Sequence, residues 1–329
     1  RQRQMCIRDR DKLALLIADL DASDFDAELT GFDDDEIAQL IGSLDEDEVE
    51  DDDFDLTAAL EAAAFVERGD IWTVGRHRLV CGDATNAGDI ELLMDGKKAN
   101  LVLTDPPYNV AFESSDGLSI KNDKMSADAF YEFLLAAFTQ MAGVCEKGAS
   151  AYVFHADTEG LNFRRAFQDA GFKLSGCCIW VKDSLVLGRS PYQWQHEPVL
   201  YGWVKTGKHT WYADRKQTTV WRFDKPRRNA DHPTSKPLDL LAYPIGNSTQ
   251  ANAIVLDTFA GSGSTLMACE ATNRIAYCME LDEKYASVIL RRYADATGDA
   301  AGITCLRDGQ QLAYLDAVSY THLRAHETV

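Results

Sequence analysis

From residue 71 onward, short apolar runs alternate with longer stretches whose apolar residues recur every three to four positions. Runs at 71–74 and 78–81 flank Gly75-Arg76 and predict a hairpin. The apolar runs 101–104, 150–154, 172–181, 253–257 and 275–280 have the length and composition of buried strands. Between and after them, helical spacing predicts helices over 90–94, 127–144, 159–170, 237–245, 264–272 and 283–296. Strands alternating with helices of this size imply an α/β fold, a doubly wound and mostly parallel sheet covered on both faces. Before this body, a helix is expected over 56–67 and a short one over 34–41. Residues 45–55 (DEDEVEDDDFD) form a like-charge run expected to stay solvated and flexible. No internal repeat is visible.

The chain of 329 residues is 46% hydrophobic, enough for a full core. It has no apolar run near the roughly 18 residues of a membrane span and no secretory pattern at its start, which suggests the cytoplasm. The eight Cys are scattered without a C-x-x-C, which argues against a zinc site or a disulfide scaffold, and no metal is expected. The net charge of −20 is unusual for a partner of nucleic acid until it is divided along the chain. Residues 11–55 carry −18 and residues 56–317 only −5, while residues 164–236 carry +8. The acidity belongs to an appendage.

Both ends look foreign. Met5-Cys6-Ile7-Arg8-Asp9 can be encoded by ATG TGT ATA AGA GAC, and the reverse complement of that string encodes Val318-Ser319-Tyr320-Thr321-His322. One DNA end thus appears inverted at both termini and resembles a transposon-end sequencing adapter. Residues 1–10 and 318–329 are therefore expected to be adapter-derived tails.

The first chemical motif is Asp105-Pro106-Pro107-Tyr108, directly after the run 101–104. A carboxylate there projects from the carboxyl edge of the sheet, where open α/β sheets bind ligands. The two prolines stiffen the backbone and remove two donors, so the local carbonyls are left as acceptors. Asp105 and the Pro106 carbonyl could accept the two hydrogens of an exocyclic NH₂ while Tyr108 stacks on its planar ring. A bare Pro-rich turn with a capping Asp reads almost as well.

The second motif, Val255-Leu-Asp257-Thr-Phe259-Ala-Gly261-Ser-Gly263-Ser264-Thr265, is a strand end, an acid, a Gly-rich turn and a helix start. Gly261 and Gly263 permit tight turning and close approach to a ligand. The spacing fits neither the dinucleotide fingerprint nor a P-loop, which disfavours a dinucleotide oxidoreductase. Glu280, 23 residues after Asp257, is placed to accept hydrogen bonds from ribose hydroxyls.

Together these motifs resemble the S-adenosylmethionine-dependent amino-methyltransferases of DNA, which make N6-methyladenine or N4-methylcytosine. The order, with F-A-G-S-G about 150 residues after D-P-P-Y, is similar to the circularly permuted β group. His232-Pro-Thr234-Ser-Lys236-Pro237 resembles the segment facing the cofactor carboxylate, so Thr234 and Lys236 join the expected cofactor set. Cys81-Gly82-Asp83-Ala84 resembles the segment whose acid faces the cofactor adenine, here Asp83. The resemblance spans about residues 70–310, and its one departure is Thr258, where the family usually has Pro. It implies methyl transfer to double-stranded DNA by Asp105, Pro106, Pro107 and Tyr108. The cofactor would lie on Asp83, Thr234, Lys236, Asp257, Phe259, Gly261, Gly263, Ser264, Thr265 and Glu280. Adenine N6 is favoured because the cytosine enzymes more often begin the tetrapeptide with Ser. Homodimerisation is left open.

Residues 164–236 also hold Trp180, Trp194, Trp203, Trp211 and Trp221, five of the six Trp. Aromatics interleaved with Lys and Arg suit phosphate contact and stacking at a displaced base. Arg189, Lys205, Lys208, Arg215, Lys216, Arg227 and Arg228 are the expected DNA-facing set, within a recognition insert at about 182–233. Trp180 and Trp203 read as core, and His196 and His232 as structural. The lead segment with Leu29-Thr-Gly-Phe-Asp-Asp-Asp-Glu36 resembles the tail of a ParB-like domain, so residues 11–55 read as remnant and linker and 56–317 as the methyltransferase. A DNA-binding module without activity would explain the basic tract but leave both motifs idle. RNA- or glutamine-directed relatives use N-P-P-Y in another order.

Overall fold

The computed structural model describes residues 49–110, 123–187, 191–224 and 235–319. The expected helix at 34–41 and both adapter-like ends, apart from Val318 and Ser319, lie outside them. The hairpin forms as β1 (Ile71–Val74) and β2 (His77–Cys81). The body then runs α2 (Ala87–Met94), β3 (Ala99–Thr104), α3 (Ala127–Gly143), β4 (Cys145–Phe154), α4 (Gly160–Asp169) and β5 (Phe172–Val186). After β6 (Trp194–Val204) and β7 (Val220–Arg222) come α5 (Leu238–Ser248), β8 (Ile254–Asp257), α6 (Ser264–Ala271), β9 (Ile275–Glu280) and α7 (Glu283–Thr297). A short α1 (Leu56–Glu61) precedes the hairpin, and β10 (Ile303–Arg307) and β11 (Gln310–Ala313) follow.

Local chemistry fixes several boundaries. Asn86 caps α2 by accepting from Gly88 N at 2.8 Å and Asp89 N at 3.2 Å. Asp282 caps α7, which ends at Gly298 in the left-handed region. Helix α1 stops at Glu61 rather than reaching 67, because Phe65 and Val66 turn into the core and their amides donate to Ser287 Oγ.

The strands of the described residues form one sheet, ordered β11-β10-β1-β2-β9-β8-β3-β4-β6-β5-β7. Its centre, β2-β9-β8-β3-β4, is parallel, and antiparallel pairs flank it on both sides. Alternation along the central strands feeds two cores. Leu101, Leu103, Tyr152 and Val255 face the side covered by α5, α6 and α7, while Val102, Val153 and Leu256 face α2, α3 and α4. Helices cover both faces, as the double-wound pattern requires.

The expected insert at 182–233 includes two strands of the sheet, β6 and β7. Within it, β6 is an integral strand, antiparallel to both β4 and β5, and its Val199 and Leu200 are fully buried. The tract reads as irregular because Pro198, Gly202 and scattered polar residues interrupt the apolar period. Gly202 is needed there: a Cβ would lie 2.1 Å from the Lys173 carbonyl. Trp180 and Trp221 are core residues, whereas Trp194 is 42% exposed.

Candidate active site

The chain leaves the β3/β8 boundary in opposite directions, through α3 to β4 and through α6 to β9, which makes that boundary the topological switch point. A parallel sheet brings all its carboxyl ends to one edge. There Gly82-Asp83 after β2, Asp105 after β3, Asp257 at the end of β8 and Glu280 at the end of β9 line a single cleft, enclosing about 1280 Å³ with its mouth. Its apolar walls include Leu103, Phe133, Phe154, Phe259 and Leu241.

The tetrapeptide sits in a buried charge cluster. Tyr108 OH donates to Asp105 Oδ1 at 2.5 Å and lies 3.2 Å from Glu197 Oε2. The Lys236 ammonium pairs with Asp105 Oδ2 and stands 3.6 Å from Glu197 Oε2. Lys182 pairs with Glu197 Oε1. Two carboxylates thus balance two ammonium groups around one phenol. Burial pushes the Asp105 carboxyl up, and the nearby Glu197 adds to that, against the opposing pull of Lys236. Burial alone would also raise Glu197, but Lys236 and Lys182 outweigh it and hold the group below the usual carboxylate range. Burial also raises the Tyr108 phenol well above its ordinary value, with Asp105 and Glu197 reinforcing it, so it remains a donor.

Glu197 and Lys182 escape sequence reasoning because the tract holding them reads as an insert. The register of Glu197 opposite Trp180 carries it to the same sheet edge as Asp105. Lys236, expected to face a cofactor carboxylate, lines the same cleft, two residues before α5, and pairs there with Asp105.

On the other side of the cleft, Asp257 organises the Gly-rich turn. Its Oδ1 accepts from Thr104 Oγ1 at 2.7 Å and Phe259 N at 3.1 Å, and Thr265 bonds it as well. Burial pushes this carboxyl up to about 6. Glu280 accepts from Gly261 N and from Asp282 N, both at 2.8 Å, and burial pushes it up to about 7. Gly261 and Gly263 have φ of +52° and +84°, and a Cβ on Gly263 would crowd Ile289 at 3.1 Å. Asp83 uses Oδ1 to hold Thr85 N and Oγ1 at 2.9 and 2.7 Å.

These residues fit a ligand with a purine, a ribose and a charged amino-acid tail. Each oxygen of Glu280 keeps a second lone-pair direction beyond its backbone bond. The N-terminus of α6 carries no side-chain cap, so it presents N–H groups without intrahelical partners.

The expected DNA-facing set divides. Lys205 and Lys208 follow the end of β6, beside Gly148 and Gly171, at the sheet edge opposite the cleft. Arg215 and Lys216 are exposed in the loop before β7, with Lys216 near Asp214. Arg189, Arg227, Arg228, His232 and Thr234 lie outside the described residues.

Comparison with known proteins agrees with this geometry. The chain is 30% identical over 208 residues to YubD of Escherichia coli (strain K12), covering 63% of this chain and 86% of that protein. It is 28% identical over 229 residues to the DNA adenine methyltransferase YhdJ of the same strain, covering 60% and 76%. The solved PvuII DNA methyltransferase (cytosine-N4-specific) shares the fold at a TM-score of 0.52 and 16% identity, over 69% of this chain and 93% of that one. A model of the ParB-methyltransferase HTH domain matches residues 11–68, past the boundary at 55 expected from composition. The DNA methylase model matches residues 99–291, from the start of β3 into α7. With the switch-point cleft and its acceptor cluster inside that span, the chain belongs to the N6/N4 DNA methylase family.

Proposed function

We propose that this protein transfers the methyl group of S-adenosylmethionine to the N6 amino group of adenine in double-stranded DNA, as a member of the permuted β group. The observation that carries the reading is the meeting of Asp105 and Glu280 in one cleft, which gives a base acceptor site and a nucleoside site a common wall. The cofactor would be held by Glu280 at its ribose, Asp83 at its adenine and the Phe259–Thr265 turn along its length. It supplies an electrophilic sulfonium methyl.

The chain's residues do the remaining work. A target base has to leave the duplex to reach Asp105. Asp105 and the Pro106 carbonyl would accept its two amino hydrogens, drawing the nitrogen lone pair out of conjugation, while the Tyr108 ring supports the base. Asp105 would also accept the proton that the amino nitrogen has to lose once it carries the methyl group. Both Asp105 oxygens carry donors in this structure. Glu197 offers those donors, Tyr108 and Lys236, an alternative acceptor when the base arrives.

Cytosine N4 is the second reading, since it needs the same acceptors and the relatives' names include both specificities. Incubation of the full chain with labelled S-adenosylmethionine and unmethylated DNA, followed by nucleoside analysis, decides. N6-methyladenine is expected. N4-methylcytosine would move the assignment to the second reading, and no transfer to any DNA despite cofactor binding would overturn the enzymatic one.

A further inference from the structure

The acidic stretch 45–55 is expected to be solvated, yet the part described from Val49 onward is docked against the cleft's outer side. The Asp52 carboxylate meets Arg292 of α7 side-on, at 2.6 Å from Nε to Oδ2 and 2.9 Å from Nη2 to Oδ1. Arg292 is only 5% exposed, and its Nη1 donates to Ser262 O and to Ser264 Oγ, each at 3.1 Å. Ser264 lines the cleft at the start of α6. One residue earlier, Asp51 Oδ1 accepts from Leu238 N at 2.7 Å. That amide opens α5, whose N-cap, Pro237, has no side chain able to cap it. Asp51 supplies the cap from a distant part of the sequence, two residues beyond Lys236.

A planar guanidinium gripped by a carboxylate on one side has its remaining donors fixed on the other. Two consecutive acids therefore position both the Gly-rich turn and the segment presenting Lys236. A solvated linker does not explain a buried Arg that needs Asp52 as its counter-charge.

We infer that Asp51 and Asp52 are positioning residues of the cofactor cleft, through which the segment of HTH-family sequence at the amino end is coupled to cofactor binding. The inference rests on reading the cleft as the S-adenosylmethionine site. Coupling is reciprocal, so the cofactor tightens the docking of residues 49–55 as much as that docking tightens the cofactor.

Calorimetric titration of the full chain with S-adenosylmethionine provides the first test. Asp52→Asn weakens binding by about tenfold, the scale of one charge-assisted bond, and Asp51→Asn weakens it in the same direction. Asp52→Asn binding with the wild-type Kd overturns the coupling. Hydrogen exchange on the wild-type chain is the second test and does not depend on any variant folding. Added S-adenosylmethionine slows exchange of the amides of residues 49–55, and unchanged exchange there at saturating cofactor overturns the inference. A wild-type chain that binds no S-adenosylmethionine would instead remove the reading of the cleft.

Discussion

Glu197 and Asp105 share two donors. The Tyr108 hydroxyl lies 2.5 Å from an Asp105 oxygen and 3.2 Å from a Glu197 oxygen, and the Lys236 ammonium pairs with the first acid while standing 3.6 Å from the second. Glu197→Gln removes the charge that can draw both donors away, leaving them concentrated on Asp105. The expected result is a fall in kcat of about tenfold or more, with cofactor affinity within about twofold because Glu197 does not line the cleft's cofactor side. Single-turnover methylation beside calorimetry separates the two quantities, and an unchanged kcat would show that the sharing has no part in the reaction.

Asp105→Ala deletes the acceptor and leaves Lys236 facing Glu197 alone. Transfer should fall by about three orders of magnitude, the scale of losing a group aligned on the reacting atoms, while S-adenosylmethionine binding persists. Asp105→Asn retains one acceptor oxygen and should fall between the two. A chain that keeps half its turnover as Asp105→Ala would take the role from this residue.

Much of this site was legible because each motif sits where a periodic element ends. The run 275–280 became β9 residue for residue, and Asp105, Asp257 and Glu280 reach one edge because parallel strands must share it. What stayed hidden depends on pairing across long sequence separations. Nothing local in 194–204 announces that Glu197 would stand beside Asp105, since β6 acquires its place only through registers with β4 and β5. The acid run misled for a related reason: its like charges imply solvation, but Arg292 and the bare amide of Leu238 lie far along the chain. The described cysteines are free thiols and mostly buried.

Glu280 gives a pH dependence with a definite sign. Its carboxyl is raised from 4.5 to about 7 by burial, so the folded state favours the protonated form. Its contribution to stability is therefore fully present below the unfolded value and is lost as pH rises through about 7. The melting temperature of the cofactor-free chain should fall between pH 5 and pH 8 by more than that of Glu280→Gln. Ribose hydroxyls donate best to the ionised acid, so cofactor affinity should move the opposite way and weaken as pH falls below about 7. Equal pH slopes in the wild type and in Glu280→Gln would contradict both.

The basic residues predict different salt behaviour according to whether they already have a partner within the fold. Lys205 and Lys208 stand opposite the cleft, and Lys205 Nζ already donates to Gln168 O at 2.7 Å. Replacing both by Gln should leave the salt dependence of DNA binding unchanged. Replacing Arg215 and Lys216, which are exposed before β7, should reduce the slope of log K against log salt by about one for each phosphate that is no longer neutralised. Fluorescence anisotropy over a salt series distinguishes these outcomes, and a reduced slope confined to the Lys205 and Lys208 replacements would reverse the assignment.

The β3/β8 boundary also acts as a ruler. The cluster around Asp105 hangs from one strand and the turn after Asp257 from its neighbour, joined by the pairs Leu101↔Val255 and Val102↔Leu256 and by the Thr104 hydroxyl on Asp257. Adjacent strands lie about 4.8 Å apart, and one residue of slippage moves a strand end by about 3.3 Å. The gap between acceptor and donor is thus set by backbone spacing rather than by flexible side chains. Change on either side of the boundary can alter which base or which DNA is held without resetting the distance the methyl group has to cross.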